Sequence, residues 1–221
     1  MNYDCFYKKH PNYSGDSVIP HPLPCEFAIA FFKERENGVF VDVGAHDGIA
    51  WSNTLIFEEL FSWSGLCIEA NPFLYEELGA NRTSTCLNYA IDSSGTEQIF
   101  WNITGSASGI GGLEKGFKND HAQRIEKELA AKPESVCEKI LMTTKRLDSI
   151  LMDHNISHID YLSIDVEGNE LGVLESLDFN SCDCSLISVE SNDRKSIQDY
   201  LIKFGYRLSS KICADDFYVK L

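Results

Sequence analysis

The chain has 221 residues, 43% of them apolar and 24% charged, enough for one α/β domain with a full core. Its net charge of −15 describes a strongly acidic surface that repels phosphate backbones and anionic membranes, which argues against nucleic acid as a partner and favours a neutral or cationic small molecule. The sequence has no run of 18 apolar residues, the first ten residues lack the apolar centre of a secretory signal, and the eight cysteines show no C-x-x-C spacing. A cytoplasmic chain with reduced thiols and no membrane span is therefore expected.

Residues 1–21, rich in Tyr, Pro, His and Asn, read as an irregular arm. A helix is predicted over 22–36, stopped by Asn37-Gly38. The first strand, 39–43, ends in Val41-Asp42-Val43-Gly44-Ala45-His46-Asp47-Gly48. Ser52-Asn53-Thr54 supplies cap residues for a helix carrying Leu55, Ile56, Leu60 and Phe61. A second strand, 65–69, ends in Glu69, and Pro72 opens a helix that runs to about Leu78. A third strand is predicted over 86–91 and a short one over 98–101. Residues 104–118 hold five glycines and are expected to be irregular, either a lid over an acceptor or a linker. A polar helix over 119–131, a strand over 140–144 and a short helix from Leu147 follow. A strand at 159–165 ends in Asp165, with Glu167 in the turn, and a strand at 186–190 ends in Glu190. A helix with Ile197, Leu201 and Phe204 and a closing hairpin, 205–208 with 217–220, complete the chain. Strands alternate with helices nearly throughout, the pattern of a doubly wound sheet.

Ligands of such sheets lie beyond the carboxyl ends of the strands. Asp42, Asp47, Glu69, Asp165, Glu167 and Glu190 all fall there. A row of carboxylates repels itself unless a cation or a metal sits among them. The glycine motif is only Gly44-x-x-x-Gly48, with His46 where the dinucleotide fingerprint needs its second glycine. No Lys or Arg stands nearby for phosphates, and there is no G-K-S/T, so NAD and P-loop chemistry fit poorly. Glu69, 21 to 25 residues beyond the glycines, is placed to hold a ribose diol. A cofactor with ribose, adenine and a positive centre but no phosphate suits this edge, and S-adenosylmethionine has those properties.

Five blocks of the sequence, in order, resemble the FkbM-type S-adenosylmethionine-dependent methyltransferase family. They are 41–48 with Ser52-Asn53-Thr54, Cys67-Ile68-Glu69-Ala70-Asn71-Pro72, Leu147-Asp148-Ser149-Ile150-Leu151, Ile164-Asp165-Val166-Glu167-Gly168-Asn169-Glu170, and Ser188-Val189-Glu190. Tyr13-Ser14-Gly15-Asp16 is a loose likeness of a further block and carries no role. The resemblance implies a class I, Rossmann-like α/β fold: a doubly wound seven-stranded sheet with the last strand antiparallel. It would occupy residues 38–221, with 1–37 as an arm and helix packed on its core.

The resemblance also implies roles. Gly44 and Gly48 shape the turn under the cofactor's methionine end. Ala45, His46 through its backbone N–H, Asp47, Asn53 and Ala70 are expected in the cofactor site. Asp42 would meet the ammonium and Glu69 the ribose, while Ala90 and Ile91, beside Asp92, would flank adenine. Asp165 and Glu190 together suit a divalent ion, Mg or Mn. Alternatively Asp165 or Glu167 is the base, or Asp165 mainly holds the cofactor; Asp165, Glu167 and Glu190 are the catalytic candidates. Trp51, Trp63 and Trp101 are either stacking platforms for a sugar face or core, with Trp63 read as core. Family members mostly methylate hydroxyls, so the expected reaction is O-methylation of a sugar hydroxyl, such as that of a deoxyhexose (rhamnose) in a glycan, within a larger glycan-synthesis polypeptide. The alternatives are a non-sugar small molecule, a lipid or a protein as acceptor, or a cofactor-binding interaction module without catalysis.

Overall fold

The computed structural model describes residues 3–11, 13, 23–118, 120–190 and 193–221; Ser14, Gly15 and Asp16 and the first residue of the helix expected from 22 lie outside these. Part of the arm is helical: α1 spans Asp4–Lys9, because Phe6 is buried among Tyr13 and the aromatic residues of the core. α2 is Pro24–Phe32, shorter than expected, with proline in its first turn and Lys33 in the left-handed region ending it.

β1 (Val39–Val43) is almost wholly buried, as a central parallel strand must be. Ser52 caps α3 (Leu55–Phe61), its Oγ accepting from the N–H of Leu55. β2 is Ser64–Ile68. Asn71 caps α4 (Pro72–Asn81) by accepting from the N–H groups of Phe73 and Leu74, and with Pro72 in the first turn the helix runs past Leu78. The third strand is only Thr85–Leu87 (β3). Residues 90–92 instead bond to Lys145: the Lys145 N–H donates to the Ala90 carbonyl and the Asp92 N–H to the Lys145 carbonyl.

The segment expected to be irregular is ordered. β4 runs Glu97–Thr104, a 3-10 turn follows at Gly105–Ile110, β5 is Gly112–Leu113, and a second 3-10 turn covers Glu114–Gly116. The glycines there serve close approach: a Cβ on Gly111 would lie 2.5 Å from the Trp101 carbonyl oxygen. α5 (His121–Ala131) and β6 (Val136–Thr143) follow, and β6 pairs with β4 over its whole length. β5, β4 and β6 form a separate three-stranded sheet.

The chain then gives α6 (Leu147–Asp153), β7 (His158–Ile164), α7 (Glu170–Glu175), β8 (Asp183–Glu190), α8 (Arg194–Leu201), β9 (Tyr206–Ile212) and β10 (Asp215–Lys220). The main sheet has seven strands in the order β3-β2-β1-β7-β8-β10-β9. All neighbours are parallel except β10, which runs antiparallel to both β8 and β9. The order turns back between β1 and β7, the switch point where such sheets bind ligands. One sheet face packs Val41, Val43, Leu162, Ile164 and Ile187 against α6, α7 and α8. The other packs Phe40, Tyr161 and Phe217 against α2 and α3. Trp63 is core, as expected: it is buried against Gly38, where a Cβ would come within 2.4 Å of its ring, and its Nε1 donates to the Arg35 carbonyl.

Candidate active site

A cavity of about 900 Å³ opens at the carboxyl ends of β1, β2, β7 and β8, under the three-stranded sheet and its Gly105–Ile110 turn. Its floor at the switch point depends on one glycine. Gly44 has φ +89°, and a Cβ there would lie 1.7 Å from the Asp165 carbonyl oxygen. Only glycine lets the two loops cross so closely.

Glu69 is 8% exposed at the end of β2. Its Oε2 accepts from the His46 N–H at 2.9 Å and its Oε1 from the Asn71 N–H at 2.8 Å. Burial pushes its carboxyl up, while these backbone N–H groups and His46 hold it down. Each oxygen keeps a further lone pair for a diol. Asn88 fixes this corner by donating to the carbonyls of Glu69 and Ala70. Ala90 and Ile91 line the same end of the cavity, together with Tyr89, Phe100 and Leu113. Asp92 does not line it. Burial would raise that carboxyl, but the Lys115 ammonium, Ser94 and Asn169 hold it down to about 2. Asn169 donates to the Ile91 carbonyl and to Asp92, tying this wall to the start of α7.

Gly44, Ala45, His46, Asn53 and Ala70 all line the cavity, and Asp47 does not. The Asp47 carboxylate instead accepts from the N–H groups of Ile49 and Ala50, closing the turn after the glycine motif. Asp42 lines the cavity but is also engaged: its Oδ2 accepts from the Thr54 hydroxyl at 2.6 Å, and the Arg82 guanidinium, paired with Glu58, donates to the same hydroxyl. Burial pushes Asp42 up, and Arg82 and Thr54 oppose that.

Asp165, Glu167 and Glu190 converge from the ends of β7 and β8, and all three line the cavity. Asp165 is exposed to this space, yet protein atoms surround it. That burial pushes its carboxyl well up, and Glu190, Glu167 and Asp215 add to the rise. Burial and Glu167 likewise raise Glu190. Glu167, with φ +56°, is held by Arg124 of α5 at 2.8 Å; burial pushes its carboxyl up and the Arg124 guanidinium opposes that rise. Among the described residues no group of three or more His, Cys, Asp or Glu is arranged to hold an ion.

Two residues were not visible in the sequence motifs. Asp215 opens β10 and stands directly opposite Glu190 across the β8–β10 pair. Arg124 reaches the cavity from a helix read only as polar. Any sequence signal for Asp215 lay in the topology: an antiparallel last strand brings its first residue, not its last, to the ligand edge. Trp51 lines the cavity 51% exposed with φ +56°, whereas Trp101 lies against Phe117 in the small sheet.

This strand order, its one antiparallel strand and a cavity at the switch point define a class I methyltransferase fold. The chain matches the family described as Methyltransferase FkbM domain over residues 42–208 and belongs to it. It is an S-adenosylmethionine-dependent methyltransferase. Among solved structures it is similar to a precorrin-6y C5,15-methyltransferase from Geobacter metallireducens, at 11% identity and TM-score 0.46, covering 93% of this chain and 90% of that one. It is also similar to a methyltransferase from Pyrococcus furiosus, at 14% identity and TM-score 0.44, covering 99% and 92%. No curated protein matches it.

Proposed function

We propose that the chain is an O-methyltransferase whose acceptor is a sugar hydroxyl. The observation that carries this reading is Trp51, half exposed at the cavity and held in a backbone region that costs a bulky residue about 1 kcal/mol or more. An indole face beside several carboxylates is the chemistry that recognises a sugar ring: stacking on C–H faces and hydrogen bonds from hydroxyls.

The residues present fit S-adenosylmethionine. The Gly44 crossing leaves backbone where a side chain would intrude, and the raised carboxyls of Asp165 and Glu190 would be relieved by a positive ligand. In this reading Glu69 holds the ribose diol, and Ala90, Ile91 and Phe100 enclose adenine. The backbone of Gly44–His46 and the Asp165 carboxylate hold the methionine end. Bound, the cofactor supplies an electrophilic methyl on a sulfonium. Asp42 acts through Thr54, stiffening the loop that carries Trp51 and Asn53, while Glu167 is fixed by Arg124 and shapes the turn. The protein's part is to hold the acceptor oxygen in line, exclude water and take up a proton. We place the reaction in the cytoplasm, where the eight cysteines, none of them in a disulfide, would stay reduced. The acceptor is a small glycoside or a glycan.

Titration calorimetry with S-adenosylhomocysteine, on the wild type and Glu69→Ala, tests the cofactor roles. Micromolar binding is expected, weakened at least 100-fold in the variant. Labelled methyl transfer to a panel of methyl glycosides, with and without Mg²⁺ or Mn²⁺, tests the acceptor. Intact cofactor binding with no methyl on any glycoside would sink the sugar reading.

A further inference from the structure

We propose that Asp215 is the general base that takes the proton of the acceptor hydroxyl, a role that rests on the hydroxyl-acceptor reading above. Three other acids in the cavity are already committed, which leaves Asp165 and Glu190 beside Asp215; Glu190 is exposed at the end of β8, whereas Asp215 opposite it is buried. Glu69 accepts from two backbone N–H groups, Asp42 from the Thr54 hydroxyl under the Arg82 charge, and Glu167 is clamped by Arg124. The Asp165 backbone carbonyl crosses Gly44, which puts this residue at the methionine end in the reading above.

Asp215 is in a different situation. It is 5% exposed, it lines the cavity, and among the described residues no cation lies within ion-pair distance of it. Among the described residues its side-chain hydrogen bond is a long one, 3.5 Å from the Asn53 amide, and Asn53 is anchored by donating to Ser163 at 3.2 Å. The contrast with its neighbour is informative. Asp216 points to the opposite sheet face, where Arg194 and Tyr218 bind it. The chain thus places two successive buried aspartates on β10, neutralises Asp216 with Arg194 and leaves Asp215, in the cavity, without a cation partner among the described residues.

The groups facing Asp215 are Glu190 on β8, Asp165 after β7, Tyr161 on β7, Cys213 in the hairpin turn and, more distantly, Arg194 on α8. Burial, and then Glu190, push its carboxyl up to about 7. A base with this basicity is poised for use near neutral pH. In the transfer, the acceptor oxygen forms the new bond to the methyl carbon. The carbon–sulfur bond breaks with its electron pair going to sulfur, and the hydroxyl proton passes to Asp215, which later releases it to water.

Asp215→Asn keeps shape and volume, and Asp215→Glu keeps the carboxyl. Expected results for Asp215→Asn are S-adenosylhomocysteine binding within about twofold of wild type by calorimetry and a kcat on methyl glycosides lower by about 10²–10⁴-fold with little change in KM. The kcat/KM limb that rises near pH 7 is lost in Asp215→Asn and partly restored in Asp215→Glu. Loss of cofactor binding in Asp215→Asn, or a kcat above a tenth of wild type with the same pH limb, overturns the proposal. The carboxyl ¹³C signals of aspartate-labelled protein, followed by NMR with S-adenosylhomocysteine bound, need no acceptor. A resonance titrating near pH 7 that is missing from Asp215→Asn supports the base role; titration below pH 5 overturns it. If cofactor binds but no glycoside is methylated, the sugar reading fails, and the NMR titration still decides for Asp215.

Discussion

Asp215 ties activity to stability in opposite senses. Its carboxyl stands near 7 in the fold, against an ordinary value of 3.8. The folded state therefore favours the protonated form, so the stability from this group is complete below 3.8 and is lost as pH rises through about 7. A neutral isostere does not lose it. Asp215→Asn is expected to be more stable than wild type by on the order of 4 kcal/mol at pH 8 and about half that or less at pH 5. Urea unfolding at the two pH values measures this, and a variant no more stable than wild type at pH 8 would show that the carboxylate is not penalised by burial. At this scale the sequence was informative wherever an acid directly follows a buried parallel strand: Glu69, Asp165 and Glu190 all line the cavity. It misled at Asp47, because a carboxylate one residue past His46 finds the N–H groups of Ile49 and Ala50 within reach and closes a local turn.

Between elements, the wall that carries Ala90 and Ile91 is not a strand but a segment held from two sides. Lys145 bonds it along the backbone, and Asn169 at the start of α7 donates to the Ile91 carbonyl and the Asp92 carboxylate. Asn169 is buried, and its amide fills the space over Gly172. Asn169→Ala leaves the Ile91 carbonyl without that donor, at a cost of about 1–3 kcal/mol. A fall in Tm of roughly 2–10 °C is expected by differential scanning calorimetry, with weaker S-adenosylhomocysteine binding as the wall shifts. An unchanged Tm would mean that Lys145 alone holds the segment. The sequence did not reveal this joint, because 86–91 reads as one strand, whereas only Thr85–Leu87 pairs with β2 and 90–92 find partners at Lys145 and Asn169, more than fifty residues away. The glycines of 104–118 misled for a related reason. They signal freedom in an isolated chain, but β5 within the segment pairs with β4, and glycine is what permits the close approach.

Over the whole molecule, charge connects the surface to the cavity. The chain carries −15 net, and the cavity gathers Asp165, Glu190 and Asp215, each raised by burial and by its neighbours. Asp215, raised to about 7, is partly protonated near neutrality, and a positive ligand among these carboxyls favours their ionisation. Binding a cationic cofactor should therefore release protons, whereas a neutral product of the same shape should release fewer. S-adenosylmethionine carries the sulfonium charge that S-adenosylhomocysteine lacks, so the ratio of their affinities should grow with pH between about 6 and 8, as the carboxyls lose the protons that compete with the cation. Calorimetry in buffers of different ionisation enthalpy counts the released protons directly. Equal proton release for the two ligands, with a pH-independent ratio, would show that the acidic cavity does not face the sulfonium. The outcome expected here also favours turnover: once the methyl and its charge have gone and Asp215 has released its proton to water, the carboxylates repel one another without a cation between them, and the site holds its product less tightly than its substrate.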